Sequence, residues 1–256
     1  MPVSDLALLE KTAREAGEIA RCFWREDPQV WDKGGDDPVS EADFAVDRHL
    51  KAQLLAARPD YGWVSEETED DPARLSATRV FIVDPIDGTR SFVAGEKTWA
   101  HSLAVVENGE VTAAAVFLPV RDKMYLAARG DGATLNGERL TASARAGLSG
   151  ATVLSPRVSF RAEFWKDGPP DVERHFRPSL AYRLALVGEG RFDAMLTLRP
   201  AWEWDIAAGA LIASEAGGVV SDRLGGPLRF NSSARQTAGV VAAGAGMHGD
   251  LLDRLA

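Results

Sequence analysis

The stretch Phe81-Ile82-Val83-Asp84-Pro85-Ile86-Asp87-Gly88-Thr89-Arg90-Ser91-Phe92 decides how the chain reads. Its apolar opening is the pattern of a buried strand. A strand that ends in Asp84 delivers that carboxylate to a sheet edge, where loops build sites. Pro85 fixes its φ and cannot donate to a ladder, so the chain is expected to turn there and bring Asp87 beside Asp84. Two carboxylates that close repel each other unless a cation lies between them. The same turn would expose the Ile86 carbonyl as a third oxygen. Gly88 lets the backbone approach a ligand, Thr89 adds a hydroxyl, and a helix starting at Thr89-Arg90 would turn N–H groups toward an anion. Alone, Asp-Pro-x-Asp-Gly is more often an Asx-type turn with solvated aspartates.

Two distant stretches shift that balance. Ser65-Glu66-Glu67 lies at the end of an upstream strand. Far downstream, Trp202 to Gly218 places Asp205 at the start of a helix with a small-residue face, Ile206, Ala210, Ala213 and Gly217. A carboxylate at a helix start reads first as a cap, but close packing through small residues would also hold Asp205 rigidly.

The whole chain narrows the chemistry. Its 256 residues suffice for one large domain or two small ones sharing a core. The net charge of −9 comes with no basic stripe, so a nucleic-acid partner is not expected. That charge also repels an anionic substrate unless a cation intervenes. The four histidines, His49, His101, His175 and His248, are scattered and show no zinc spacing. Any metal should therefore be a hard one held by oxygens. No apolar run approaches the roughly 20 residues that cross a bilayer. The first twenty residues carry acids among apolar ones and lack the features of a signal peptide. With Cys22 as the one cysteine, these points predict a cytoplasmic protein without a membrane partner. Asn231-Ser232-Ser233 reads as a chance match to a glycosylation acceptor.

Periodicity sets the organisation. Ser4 caps a helix with Leu6, Leu9, Ala13, Ala16, Ala20 and Phe23 on one face, and a Gly/Asp-rich loop, 32–38, follows. A second helix begins near Ser40, with Val46, Leu50 and Leu54 together. Asn108-Gly109 predicts a hairpin, and the chain continues as a β-meander. From Ala151 the pattern alternates: strand 151–154, helix 179–187, strand 194–198, helix 205–216, strands 218–221 and 239–242, then a closing helix. We therefore expect an α/β protein, with an α+β half over 1–150 that carries the main metal motif and an α/β half over 151–256 that supplies Asp205 and the substrate side.

These motifs together resemble the inositol monophosphatase superfamily of metal-dependent, lithium-sensitive phosphatases. Asp84-Pro85-Ile86-Asp87-Gly88-Thr89-Arg90-Ser91-Phe92 is similar to one family motif, Trp204-Asp205 followed by the Ala-rich helix and Glu215-Ala216-Gly217-Gly218 to another, and Ser65-Glu66-Glu67 to a third. The resemblance spans nearly the whole chain. It implies a layered α-β-α-β-α sandwich and a homodimer. It also implies Mg²⁺, two or three ions per site, with Mn²⁺ able to substitute. The loop after Lys33 is short, which leaves the third, weaker site open. By resemblance, Glu66, Asp84 and the Ile86 carbonyl hold the first metal, and Asp84, Asp87 and Asp205 the second. Thr89 and Glu66 orient the attacking water, Asp43 bonds to Thr89, and the Gly88 and Thr89 N–H groups hold the phosphate. Asp43 is equally placed to close a capping box with Ser40.

The resemblance implies a small phosphomonoester as substrate. Seven residues before Asp205, where inositol-specific members carry a glutamate, stands Leu198, with Arg199 next. Ser179 and Leu180 fall at substrate-contact positions, and Pro178 replaces a usual glycine. The form Ser179-Leu180-Ala181-Tyr182-Arg183 is similar to members that act as 3′(2′),5′-bisphosphate nucleotidases. Arg199, with Arg183, would suit a second anionic group, although Arg183 also reads as a solvated helix residue. Trp202, Trp204 and Phe230 read as core, and the acids after Glu66 as a solvated face. Two other readings stand beside this one. A haloacid-dehalogenase-type phosphatase with an Asp nucleophile needs Asp-x-Asp, and the spacing here is Asp-x-x-Asp. A non-catalytic interaction protein of the same fold would not need the full acidic set.

Overall fold

The computed structural model describes residues 3–35 and 37–256. Helix α1 (Asp5–Phe23) is capped by Ser4, whose Oγ accepts from the Ala7 N–H at 3.2 Å, and its buried stripe is Leu9, Ala13, Ala16 and Ala20. The segment read as a loop contains a short antiparallel hairpin, β1 (Val30–Asp32) and β2 (Pro38–Ser40). Helix α2 (Glu41–Ala57) follows and buries Val46, Leu50 and Leu54. Both helices lie on one face of a seven-stranded sheet. Its strands, in spatial order, are β3 (Gly62–Ser65), β4 (Arg79–Asp87), β5 (Ala100–Glu107), β6 (Glu110–Leu118), β7 (Lys123–Ala128), β8 (Gly132–Leu135) and β9 (Glu138–Arg139). Only β3 and β4 run parallel; the other pairs are antiparallel. Asn108-Gly109 turns β5 into β6 with φ of 51° and 82°, the paired positive values of a tight hairpin. A short helix, α3 (Thr89–Val93), separates β4 from β5.

The second half builds a five-stranded sheet from β10 (Thr152–Leu154), β11 (Glu173–His175), β12 (Ala194–Thr197), β14 (Gly218–Ser221) and β16 (Val240–Gly244), in the order β11-β10-β12-β16-β14. A separate pair, β13 (Ala201–Trp202) and β15 (Gln236–Thr237), flanks it. Between the two sheets lie α4 (Leu180–Gly188) and α5 (Glu203–Glu215). One apolar cluster joins Ile82 and Val116 of the large sheet, Leu184 and Ile212 of the helices, and Met195 and Ala242 of the small sheet. A helix pressed from both sides must be apolar all round, and α5 buries every residue from Ile206 to Ala213. It also meets α4 closely: a Cβ on Gly209 would stand 2.6 Å from Leu184 Cβ. Helix α6 (His248–Arg254) covers the far face of the small sheet, where Leu251 packs with Leu196 and Val241. The layers therefore run α-β-α-β-α, the expected architecture. Among the described residues no helix is long and apolar enough to cross a membrane.

Candidate active site

Strand β4 does not end at Pro85. It continues to Asp87 with a bulge: Asp84 pairs with Ser102 and Asp87 with Ala100, three steps on one strand against two on its neighbour. In a regular strand, residues three apart point to opposite faces. The extra residue changes that parity, so Asp84 and Asp87 both line one cavity. Proline fits there because a bulged position needs no ladder N–H. The next residue, Gly88, has φ of 101°, a region that penalises any Cβ, and α3 starts immediately after it.

Three elements converge on that cavity, whose volume is about 630 Å³. Glu66 follows β3 beside β4, and its N–H donates to the Val83 carbonyl at 3.3 Å. Asp205 lies in the first turn of α5, which begins two residues earlier than expected, at Glu203. Glu66, Asp84 and Asp205 each offer a carboxylate oxygen within 4.8 Å of the others. Asp84 is 2% exposed. Its burial, then the charges of Glu66, Asp87 and Asp205, hold its carboxyl well above the usual range. Asp205 is raised too, by burial and then by Asp87 and Glu66, while its hydrogen bond with Asp84 works the other way. Such crowding of buried acids is relieved by positive charge. The donors are all oxygens, which fits a hard divalent cation.

Asp87 is turned differently. Its carboxylate accepts Ser179 Oγ at 2.7 Å, Ala181 N at 2.6 Å and Leu180 N at 3.1 Å, so it anchors the first turn of α4. Burial pushes it up to about 6 against those bonds. Ser179 is fully buried and caps α4 through Tyr182 N. Ser179 and Leu180 thus meet Asp87, and neither is among the residues lining the cavity. Gly88 and Thr89 do line it. Thr89 Oγ1 lies 3.0 Å from Asp43 Oδ1 and 3.1 Å from the Ile86 carbonyl. Asp43 is buried and pushed up to about 6, chiefly by that burial.

Several sequence expectations are corrected. Leu198, just past the end of β12, joins the outer apolar cluster with Leu196, and Arg199 is exposed; neither lines the cavity. Two arginines do line it, Arg90, which is exposed, and Arg183, which is buried. Arg183 is 5% exposed rather than solvated, donates to the Pro178 carbonyl at 3.2 Å and stacks 4.4 Å from the Phe176 ring. Burial draws its guanidinium down to about 10. Glu67 is not on a solvated face either. Lys33 Nζ bridges it, at 2.9 Å, to Glu66, at 2.6 Å. Burial and the neighbouring Glu66 push Glu67 up to about 7. Trp202, read as core, is 38% exposed and lines the cavity. A second cavity of about 430 Å³, sharing Glu96, Phe176 and Pro178 with the first, is lined by Arg121, Arg177 and Arg191.

The model of the inositol monophosphatase family matches residues 3–255. The chain belongs to this family. Among relatives, an inositol-1-monophosphatase of Rhizobium meliloti is 38% identical, with 86% of this chain and 84% of that one covered. A Nus factor SuhB of Pseudomonas aeruginosa is 36% identical, covering 88% and 86%. A solved inositol monophosphatase (IMPase) of Thermotoga maritima superposes with a TM-score of 0.81 at 32% identity, covering 95% of this chain and 93% of that one. Membership in the inositol monophosphatase family displaces the haloacid-dehalogenase-type alternative.

Proposed function

We propose that the chain hydrolyses a small phosphorylated metabolite with a Mg²⁺-activated water. It is a phosphatase, a phosphoric monoester hydrolase of the inositol monophosphatase family. The observation that carries the metal-dependent reading is the oxygen cluster of Glu66, Asp84 and Asp205 in one cavity with Thr89. In this reading Glu66, Asp84 and the Ile86 carbonyl would hold one cation, and Asp84, Asp87 and Asp205 a second. Two such ions, when bound, lower the pKa of water, grip phosphate oxygens and neutralise the leaving alkoxide.

The chain's own groups do the positioning. Thr89 directs its hydroxyl proton at Asp43 or the Ile86 carbonyl, so its lone pairs are left to accept from water. Glu66 is the second acceptor for that water. The Gly88 and Thr89 N–H groups, at the start of α3, take the phosphate oxygens. Buried Arg183 offsets part of the acidic field around the substrate. The division of labour follows the two halves, with residues 1–150 supplying all of these groups except Asp205 and the substrate side.

For the substrate itself, Arg183 and the adjoining arginine-lined cavity support a second anionic group, as in adenosine 3′,5′-bisphosphate, over inositol 1-phosphate. We place the enzyme in the cytoplasm as a homodimer without a nucleic-acid partner, on its acidic charge, single cysteine and family resemblance. The name of the Nus factor SuhB relative favours a second reading, a non-catalytic interaction role. The complete acidic set weighs for catalysis. Turnover of phosphomonoesters with Mg²⁺ or Mn²⁺, lost on chelation and restored by added metal, is the expected result. Turnover that persists in excess chelator removes the metal-dependent reading.

A further inference from the structure

Two tryptophans two residues apart, Trp202 and Trp204, stack in the wall of the catalytic cavity with centroids 4.6 Å apart and an interplanar angle of 8°. Trp204 is buried and Trp202 stays 38% exposed. The arrangement is braced. Arg235 holds its guanidinium carbon 5.9 Å from both ring centroids. Its loop is tied down by Glu203, which accepts the Ser232 N–H at 3.0 Å and the Asn231 N–H at 2.6 Å. Glu203 N donates in turn to the Arg235 carbonyl at 2.9 Å. An indole fixed on one face, with exposed surface beside reactive carboxylates, is a preformed stacking surface. A second exposed aromatic, Phe176 at 48%, lines the same cavity. Preformed rings bind flat groups at little cost in side-chain freedom.

We propose that Trp202, backed by Trp204 and Arg235, is a stacking platform for a planar heteroaromatic ring carried by the substrate's alcohol, so that nucleoside phosphomonoesters are selected over polyol phosphates. This rests on the phosphatase reading above and adds the device that chooses among its substrates. Base–aromatic stacking tolerates any base, because each has a π-face. The platform therefore selects the class of nucleoside esters and not one base. A saturated ring lacks that face, and a cyclitol gains less from it.

The test compares kcat/KM for adenosine 3′-phosphate and glycerol 2-phosphate, with Mg²⁺, in the wild type, Trp202→Ala and Trp202→Phe. Trp202→Ala is expected to lower the value for the adenosine ester about tenfold more than for the glycerol ester, mainly through KM, and Trp202→Phe to recover most of it. Equal losses on both esters overturn the platform and leave the phosphatase reading standing. Hydrolysis of inositol 1-phosphate but of neither of these esters overturns the platform, and hydrolysis of none of the three removes the phosphatase reading instead. The platform is then decided by calorimetric titration with adenosine, which carries the base and no phosphate. Saturable binding weakened about tenfold by Trp202→Ala supports it. No binding, equal affinity in wild type and variant, or equally tight binding of myo-inositol overturns it.

Discussion

Asp43 and Thr89 are hydrogen-bonded at 3.0 Å across 46 residues of sequence, and the same aspartate closes the first turn of α2 by accepting the Ser40 N–H at 2.9 Å. One carboxylate therefore couples a helix start to a hydroxyl that lines the candidate active site. The capping box and the contact with Thr89 are compatible because each uses a different oxygen.

The coupling separates two effects. Thr89→Ala should lower kcat about 10²-fold, the order of one lost water-orienting contact, with little change in thermal stability or metal affinity. Thr89→Ser keeps the hydroxyl and should retain most of the activity. Asp43→Ala should lose activity and also about 1 kcal/mol of stability with the cap. Steady-state kinetics beside thermal melts distinguish them. An Asp43→Ala enzyme that melts early but turns over normally makes Asp43 a cap alone.

The second prediction concerns charge. Burial and four carboxylate neighbours, Glu66, Asp87, Asp205 and Asp43, raise Asp84 in the folded protein. An acid raised on folding binds more protons folded than unfolded, so its penalty on stability grows as pH rises from about 4 through its folded value. Asp43 and Asp87, both near 6, add to the same trend. His101 opposes it: burial draws it down to about 4, so its own contribution improves as pH rises from about 4 to 6.5. Asp84→Asn isolates the carboxylate term. In chelator, the variant should melt above the wild type, by about 2–4 °C per kcal/mol relieved, with a gap that widens from pH 4 to pH 8. It should also be inactive. A gap that is flat with pH, or near wild-type turnover, contradicts the metal-ligand role of Asp84.

Where period and turn chemistry decide, the fold was legible. The Leu9–Ala20 stripe and the Asn108-Gly109 turn appear as read, and the alternation after Ala151 appears with three short strands, β11, β13 and β15, that the pattern did not show. Glu66 was legible because it follows a strand end, whereas Asp84 and Asp87 share a cavity through a bulge inside β4 and not through the turn expected at Pro85. Side-chain contacts of higher reach were not legible. Leu198 and Arg199 were placed by counting back from Asp205, and counting cannot tell which way the chain turns after β12 ends at Thr197. Arg183 looked solvated because nothing local shows that Phe176 covers it. Trp202 looked like core because an aromatic beside an apolar helix usually is. Ser179, assigned to substrate, also bridges Asp87 to the start of α4, a contact that sequence spacing does not show.

Lys33 leads to a third prediction. Its ammonium occupies Glu66 Oε1 and stays charged: burial works against it, but the charges and hydrogen bonds of Glu66 and then Glu67 outweigh that. A cation at Glu66 must share that oxygen or displace the ammonium. Lys33→Gln removes a positive charge 2.6 Å from a candidate metal-binding oxygen. At the effective dielectric of a partly exposed pair this is worth about a kcal/mol, after screening. The half-saturating Mg²⁺ concentration for turnover should fall about threefold to tenfold at pH 8. A rise would show that Lys33 orders Glu66 for the metal instead of competing with it.

The last prediction ranks substrates. A polyol phosphate offers hydroxyls, and the position counted as its acceptor, Leu198, is buried on the far side of the small sheet with Arg199 exposed beside it. A bisphosphate offers a second dianion. Next to the candidate cavity, and sharing Glu96, Phe176 and Pro178 with it, lies a cavity where Arg121, Arg177 and Arg191 outnumber that one carboxylate, in a chain whose net charge is −9. Guanidinium groups match phosphate geometry. Adenosine 3′,5′-bisphosphate should therefore show a higher kcat/KM than inositol 1-phosphate. Arg177→Ala combined with Arg191→Ala should reduce the bisphosphate value at least tenfold, on the order of one charge-assisted phosphate contact, and steepen no salt dependence for the monophosphate. Arg199→Ala should change neither. If inositol 1-phosphate is preferred by tenfold or more in the wild type, the arginine cavity is not a phosphate seat, and the polyol is held by residues of the main cavity that face away from it.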